Sequence, residues 1–248
     1  MPDSTRRTAV ISDGRYYVGP PLARHLASRG HDLVIGDAPR ELLDEITATG
    51  ARAVGVDGVN SRTNTEGFAP LATAALETFG RIDAAAMFSG QIVTGSIIKS
   101  TRDQLDSLYE GCLVQPYEFL KAVLPPMVEQ RAGQVLVITS AAGSRPTPGA
   151  PLYSSMRAAA SMLARNAAAE MARHQVQVNA VGTNFMDFPE FLRASGATDP
   201  EVRAKVEAQV PMNRLGTLDE FASFCMPYLD GTSRFATGQF VSFSGGWS

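Results

Sequence analysis

Ser140, Tyr153 and Arg157 are residue types that can share proton chemistry, and their spacing is the first feature of this sequence that suggests an active site. A helix beginning near Tyr153 brings Arg157 onto the same face one turn later. A permanent cation beside a phenol favours its ionised form, so such a pair can act as a base. The apolar run Val135-Leu136-Val137-Ile138-Thr139-Ser140 reads as a buried strand that ends on the serine. A loop carrying Pro146, Pro148 and Pro151 then separates this strand from the helix.

Stepping outward, strands are expected at residues 8–12, 32–36, 51–56, 82–88, 135–140, 176–181 and 239–243. Helices are expected at 20–28, 40–49, 69–79, 101–131, 153–172 and 218–229. The long helix over 101–131 should be kinked at Pro116 and again near Pro125 and Pro126. Residues 184–209 read as a flap of short helices. Alternating strands and helices predict an α/β fold: residues 1–248 as one Rossmann-like, doubly wound domain, with a parallel seven-stranded sheet flanked by helices on both faces. Ligands of such sheets bind outside the carboxyl ends of the strands. The turn after Ser12, the residues after Phe88, Ser140 and the residues after Val181 should therefore meet in one crevice.

The whole-chain properties narrow the function further. The 248 residues are 44% hydrophobic and 19% charged with a formal net charge of −3, ordinary for one globular domain. This charge leaves no electrostatic footprint for nucleic acid or an anionic membrane surface. Cys112 and Cys225 have no metal-ligand spacing, so no metal is expected, and they fit buried thiols in a reducing compartment. No apolar run is long enough to span a bilayer and the stretch 1–7 is polar, so a cytoplasmic protein is expected.

Ser140 followed by Tyr153, the run Pro211, Arg214, Leu215 and Gly216, and Thr237-Gly238-Gln239 before Gly245-Gly246 together resemble the short-chain dehydrogenase/reductase superfamily. Three departures stand out against that background. The superfamily's Tyr-x-x-x-Lys ends here in Arg157, a planar fork that does not substitute for a lysine on sugar hydroxyls. Its glycine-rich turn, Thr-Gly-x-x-x-Gly-x-Gly, reads Ser12-Asp13-Gly14-Arg15-Tyr16-Tyr17-Val18-Gly19, so that only Gly19 keeps register. Asp13 would oppose two phosphates, and Tyr16 and Tyr17 would fill the space of a dinucleotide. Met87-Phe88-Ser89-Gly90 replaces the usual Asn-Asn-Ala-Gly, and Cys112 stands where a catalytic Asn is common. Ser-Tyr-Arg with an aromatic turn is similar to the halohydrin dehalogenase branch, which uses no nicotinamide.

That resemblance implies cofactor-independent closure of vicinal haloalcohols to epoxides with halide release, and the reverse opening by small anions. Tyr153 would be the base, Arg157 its cationic neighbour, and Ser140 the group that positions the substrate oxygen. Tyr16, Tyr17, Thr183, Asn184, Phe185 and Met186 would form the halide pocket, through backbone N–H groups and ring edges. Phe88 and Phe191 would be substrate walls. A nicotinamide-dependent oxidoreductase with Arg157 in place of Lys, and a non-catalytic Rossmann-like subunit, are the competing readings. The small residues of the Ala-rich helix, with Leu105, Leu108 and Cys112, suggest a helix-pair interface; with the resemblance they imply a homotetramer whose partners are small molecules only.

Overall fold

The computed structural model describes residues 6–61 and 64–248; the first five residues of the polar N-terminal stretch lie outside the described residues. Seven strands, β1 Arg7–Ile11, β2 His31–Gly36, β3 Ala53–Val56, β4 Ala84–Met87, β5 Gly133–Ser140, β6 Val176–Thr183 and β7 Phe240–Phe243, form one sheet. Their order is β3-β2-β1-β4-β5-β6-β7 and every pairing is parallel, as the sequence pattern predicts. The order reverses between β1 and β4, which places the crevice at their carboxyl ends.

The central strands are buried on both faces, which is why they read as continuous apolar runs rather than alternating ones. One face packs against α1 Gly19–Ser28 and α9 Leu218–Cys225, through Leu22, Leu26 and Phe221. The other packs against α3 Ala69–Phe79, α5 Gln115–Gln130 and α6 Pro151–Met171, through Leu71, Phe119, Ala164 and Ala168. The helices α2 Arg40–Ala48, α4 Arg102–Tyr109, α7 Pro189–Ser195 and α8 Pro200–Glu207 complete the set.

The expected long helix over 101–131 divides differently from its proline pattern. A π-helical stretch, Glu110–Val114, joins α4 to α5, and α5 runs unbroken through Pro125 and Pro126. Pro116 has no N–H to offer the carbonyl of Cys112 four residues back, so the gap is absorbed by a change of helical register just before it. The expected partner face also changes. Leu108 and Cys112 are fully buried within this chain, packed in one cluster with Tyr153 and Met156, and so are not free to meet a second subunit. Tyr109, Tyr117 and Met162 are the large apolar residues that these helices leave exposed.

At the amino ends of the strands lies a polar knot. Arg7 donates to His31 Nε2 (3.1 Å), to the carbonyls of Asp83 and Leu229, and to Gln134 Oε1 (3.2 Å). Asp32 pairs with both Arg6 and Arg52.

Candidate active site

Four strand ends assemble the site. Ser12, just after β1, exchanges hydrogen bonds with the backbone of Phe88 beyond β4, at 3.2 and 3.3 Å. Ser140 ends β5, in register with Thr183 at the end of β6, and its hydroxyl donates to the Thr183 carbonyl at 3.1 Å. Ser140 Oγ also accepts the amide of Ala142 at 3.2 Å, which fixes the short 3₁₀ turn that follows. Gly182 permits this approach, since a Cβ there would lie 2.7 Å from the Ala141 nitrogen.

Tyr153 and Arg157 share one face of α6 and both are buried. The guanidinium carbon of Arg157 stands 5.0 Å from the centroid of the Tyr153 ring. Arg157 Nη2 donates to the carbonyl of Ser89 at 2.8 Å, while its Nε is buried without a partner. Burial acts most strongly on Arg157 and pulls its pKa down; Tyr153 and Cys112 more than offset this, so the side chain stays a cation. Ser89 in turn donates to the carbonyl of Gly111, 2.6 Å away in the π-helical stretch. That stretch therefore forms part of the support beneath Arg157.

The turn after β1 places bulky residues where the superfamily motif has glycines. Tyr17 has φ = 52°, a left-handed conformation that suits glycine, so the glycine is gone and its torsion angle retained. Its ring packs edge-on to Phe88 (5.7 Å) and close to Phe188 (4.7 Å), and its phenol shares a 2.7 Å hydrogen bond with Thr183 Oγ1. Tyr16 also packs edge-on to Phe88, at 5.8 Å. Burial pushes both phenols upward in pKa, Tyr17 the more strongly, so both stay protonated at neutral pH. Asp13 is buried, and its charge, expected to face a phosphate, is instead held by Arg15 at 2.6 Å.

Gly19 remains because a Cβ there would fall 2.0 Å from the Asp13 carbonyl oxygen. The next two residues, Pro20 and Pro21, open α1 and have no N–H, removing two of the donors that a helix N-terminus could offer a pyrophosphate. At the end of β2, Asp37 accepts the amides of Gly58 (2.6 Å) and Asn60 (2.8 Å) and the Asn60 side chain (2.9 Å). Both of its oxygens are thus committed to protein donors.

The crevice is a cavity of about 840 Å³. Ser140, Tyr153 and Arg157 line it together with Tyr16, Tyr17, Phe88, Thr183, Asn184, Phe185, Met186 and Phe191. Every site residue expected from the sequence is therefore brought to one space. Two expected amide donors are not available there. The Phe185 N–H is taken by Asn184 Oδ1 (2.9 Å) and the Asn184 N–H by the Phe243 carbonyl (3.3 Å). Of the flap, α7 lines the cavity and α8 does not. Phe185 rests on Phe191 and on Trp247, with ring centroids 5.9 and 5.6 Å apart, so the lone tryptophan is anchored within its own chain.

Sequence reasoning missed Phe188, Ser89 as the anchor of Arg157, and the two prolines opening α1. Only the prolines carried a signal, since a missing N–H can be read from residue type alone.

A family profile described as enoyl-(acyl carrier protein) reductase matches residues 18–248. The chain belongs to this family, within the short-chain dehydrogenase/reductase superfamily. It is 26% identical over 245 residues to 2,5-dichloro-2,5-cyclohexadiene-1,4-diol dehydrogenase LinX of Sphingobium indicum, covering 98% of this chain and 96% of the relative. It is 28% identical over 249 residues to oxidoreductase UcpA of Escherichia coli, covering 94% of both. Among solved structures, one titled levodione reductase superposes with a TM-score of 0.85 at 25% identity, over 97% of this chain and 96% of that one. Another, titled dehalogenation enzyme, gives a TM-score of 0.85 at 24% identity over 98% of each chain; this likeness is one of fold. The curated relatives of this short-chain dehydrogenase/reductase member are thus named as oxidoreductases.

Proposed function

We propose that this member of the superfamily works without a nicotinamide, closing vicinal haloalcohols to epoxides and opening epoxides with small anions: a halohydrin dehalogenase, or carbon–halogen lyase. The observation that carries this reading is Tyr17. It occupies a glycine's conformation, and its ring fills the crevice beside Phe88 and Phe188. Pro20 and Pro21 and the committed carboxylate of Asp37 point the same way.

In the proposed reaction Ser140 turns its hydroxyl from the Thr183 carbonyl to the substrate oxygen. The Tyr153 oxygen takes the substrate's hydroxyl proton as that oxygen attacks the neighbouring carbon. The carbon–halogen bond breaks and the halide leaves with the bonding pair. Arg157 holds positive charge beside the phenol throughout. Nucleophile and leaving group sit on adjacent carbons, so the protein chiefly fixes their anti arrangement. In reverse, Tyr153 protonates the epoxide oxygen while azide, cyanide, nitrite or halide opens the ring.

The names of the relatives favour a second reading, a nucleotide-dependent oxidoreductase that retains Ser140 and Tyr153 with Arg157 as its cation. Bromide release from a small vicinal bromo-alcohol, with no nicotinamide added, separates the two. Release that disappears in Tyr153→Phe supports the dehalogenase. No release, together with saturable NADH or NADPH binding, replaces it with the oxidoreductase. We further propose a cytoplasmic homotetramer. The exposed Tyr109, Tyr117 and Met162 support the assembly, and two buried free cysteines support the compartment. No described helix is long and apolar enough to cross a membrane.

A further inference from the structure

We propose that the Thr183 hydroxyl, oriented by Tyr17, is the hydrogen-bond donor of the anion pocket and makes the site prefer small, strongly hydrogen-bonding anions over large polarisable ones. The inference rests on the dehalogenase reading for the identity of the anion, and on geometry for the donor.

Two backbone donors at this end of the cavity are already spent, Asn184 N–H on Phe243 and Phe185 N–H on Asn184. Thr183 and Tyr17, both lining the cavity, form the 2.7 Å hydroxyl pair. One proton suffices to join two hydroxyls, so a second is left over. Tyr17 is a half-buried ring whose phenol is the more acidic of the two hydroxyls, which makes it the better donor in the pair it forms with Thr183 Oγ1. The Thr183 hydroxyl proton then has no acceptor among the described residues. Rotation about a single bond turns it towards the cavity. Rings of Tyr17, Phe185 and Phe188 line the same cavity and lower the polarity around a hydroxyl donor there, which strengthens its hydrogen bonds.

Hydrogen bonds to an anion strengthen with its charge density, whereas contact with ring edges does not discriminate so steeply. Chloride should therefore depend on Thr183 more than iodide does. Chloride binding can be followed in the full-length protein by ³⁵Cl NMR line broadening, and iodide binding by competition in the same experiment. Thr183→Val should weaken chloride about tenfold, the order expected of one hydrogen bond to a charged group, and iodide by less than about threefold. Thr183→Ser restores the hydroxyl and should bind chloride like wild type, which separates loss of the donor from loss of the fold. Tyr17→Phe should produce a smaller loss in the same sense.

Equal weakening of both halides in Thr183→Val, a Thr183→Ser variant that behaves like it, or no saturable chloride binding by wild type overturns the inference. Bromide release that persists with an unchanged chloride-to-iodide ratio in Thr183→Val sinks this inference alone. The expected binding pattern without any bromide release leaves the hydroxyl donor standing and removes the dehalogenase reading.

Discussion

The side chain of Ser140 and the main chain of Thr183 are joined by a 3.1 Å hydrogen bond across adjacent strands, so the hydroxyl that lines the crevice is held on a protein acceptor until it turns to another. In the proposed dehalogenase reaction, replacing Ser140 with Ala removes one donor to the reacting oxygen. Turnover of a bromo-alcohol should fall by about 10²–10³, with a stability loss of about 1 kcal/mol. A drop in turnover below tenfold, measured by bromide release, would remove Ser140 from the mechanism.

Arg157 is buried with one hydrogen bond to the Ser89 carbonyl and its charge beside Tyr153. Arg157→Met leaves that carbonyl unpaired at a cost of about 1–3 kcal/mol, which for a chain of this size lowers Tm by roughly 2–12 °C. Activity should be lost in Arg157→Met and also in Arg157→Lys, whose point charge cannot copy the planar fork. Full activity in the lysine variant, checked against its melting curve, would show that only the charge matters.

The fold was legible almost element by element because buried parallel strands and amphipathic helices leave separate periodicities in the chain. Val135 to Ser140 could be placed from residue type alone, and so could the four-residue step from Tyr153 to Arg157. That Ser140, Tyr153 and Arg157 would meet in one crevice was legible through the superfamily's frame. What the sequence could not convey was geometry decided by tertiary packing. The π-helical stretch 110–114 arises where Pro116 denies a donor to its own helix, and pattern alone placed the irregularity at the proline itself. Leu108 and Cys112 looked available for a partner because an apolar helical face does not say whether its own chain covers it; here it does.

Wild-type protein should show no saturable NADH or NADPH binding. Tyr17→Gly clears the ring, but Pro20 and Pro21 still deprive α1 of two donors. Detectable nucleotide binding is therefore expected only when Tyr17→Gly is combined with Pro20→Ala and Pro21→Ala. Nucleotide fluorescence titration decides it, and tight binding by the wild type would mean that Tyr17 swings aside.

The polar knot at the opposite end of the sheet predicts a pH dependence of stability. His31 is fully buried; burial, with Arg7 adding to it, lowers its pKa. The folded protein therefore holds a neutral ring where the unfolded chain titrates at about 6.5. Stability from this group is complete above that pH and falls as pH drops below it, by up to about 1.4 kcal/mol per unit. Asp32, Asp37 and Asp230, all held below the usual carboxylate range, contribute losses only further into acid. Denaturant midpoints between about pH 5 and 6.5 should drop in wild type and stay flatter in His31→Gln; parallel curves would place the dependence elsewhere.

If Tyr109, Tyr117 and Met162 meet a second subunit, Met162→Glu should shift sedimentation from a tetramer towards smaller species without changing the circular dichroism spectrum. A wild-type sedimentation mass of 26.4 kDa would rule out the assembly.

The positive φ of Tyr17 also has an energetic consequence. A bulky residue in that conformation is disfavoured by about 1–2 kcal/mol, and reversion to glycine would recover it. The tyrosine therefore carries a backbone cost that only its own contacts, with Phe88, Phe188 and the Thr183 hydroxyl, are there to offset.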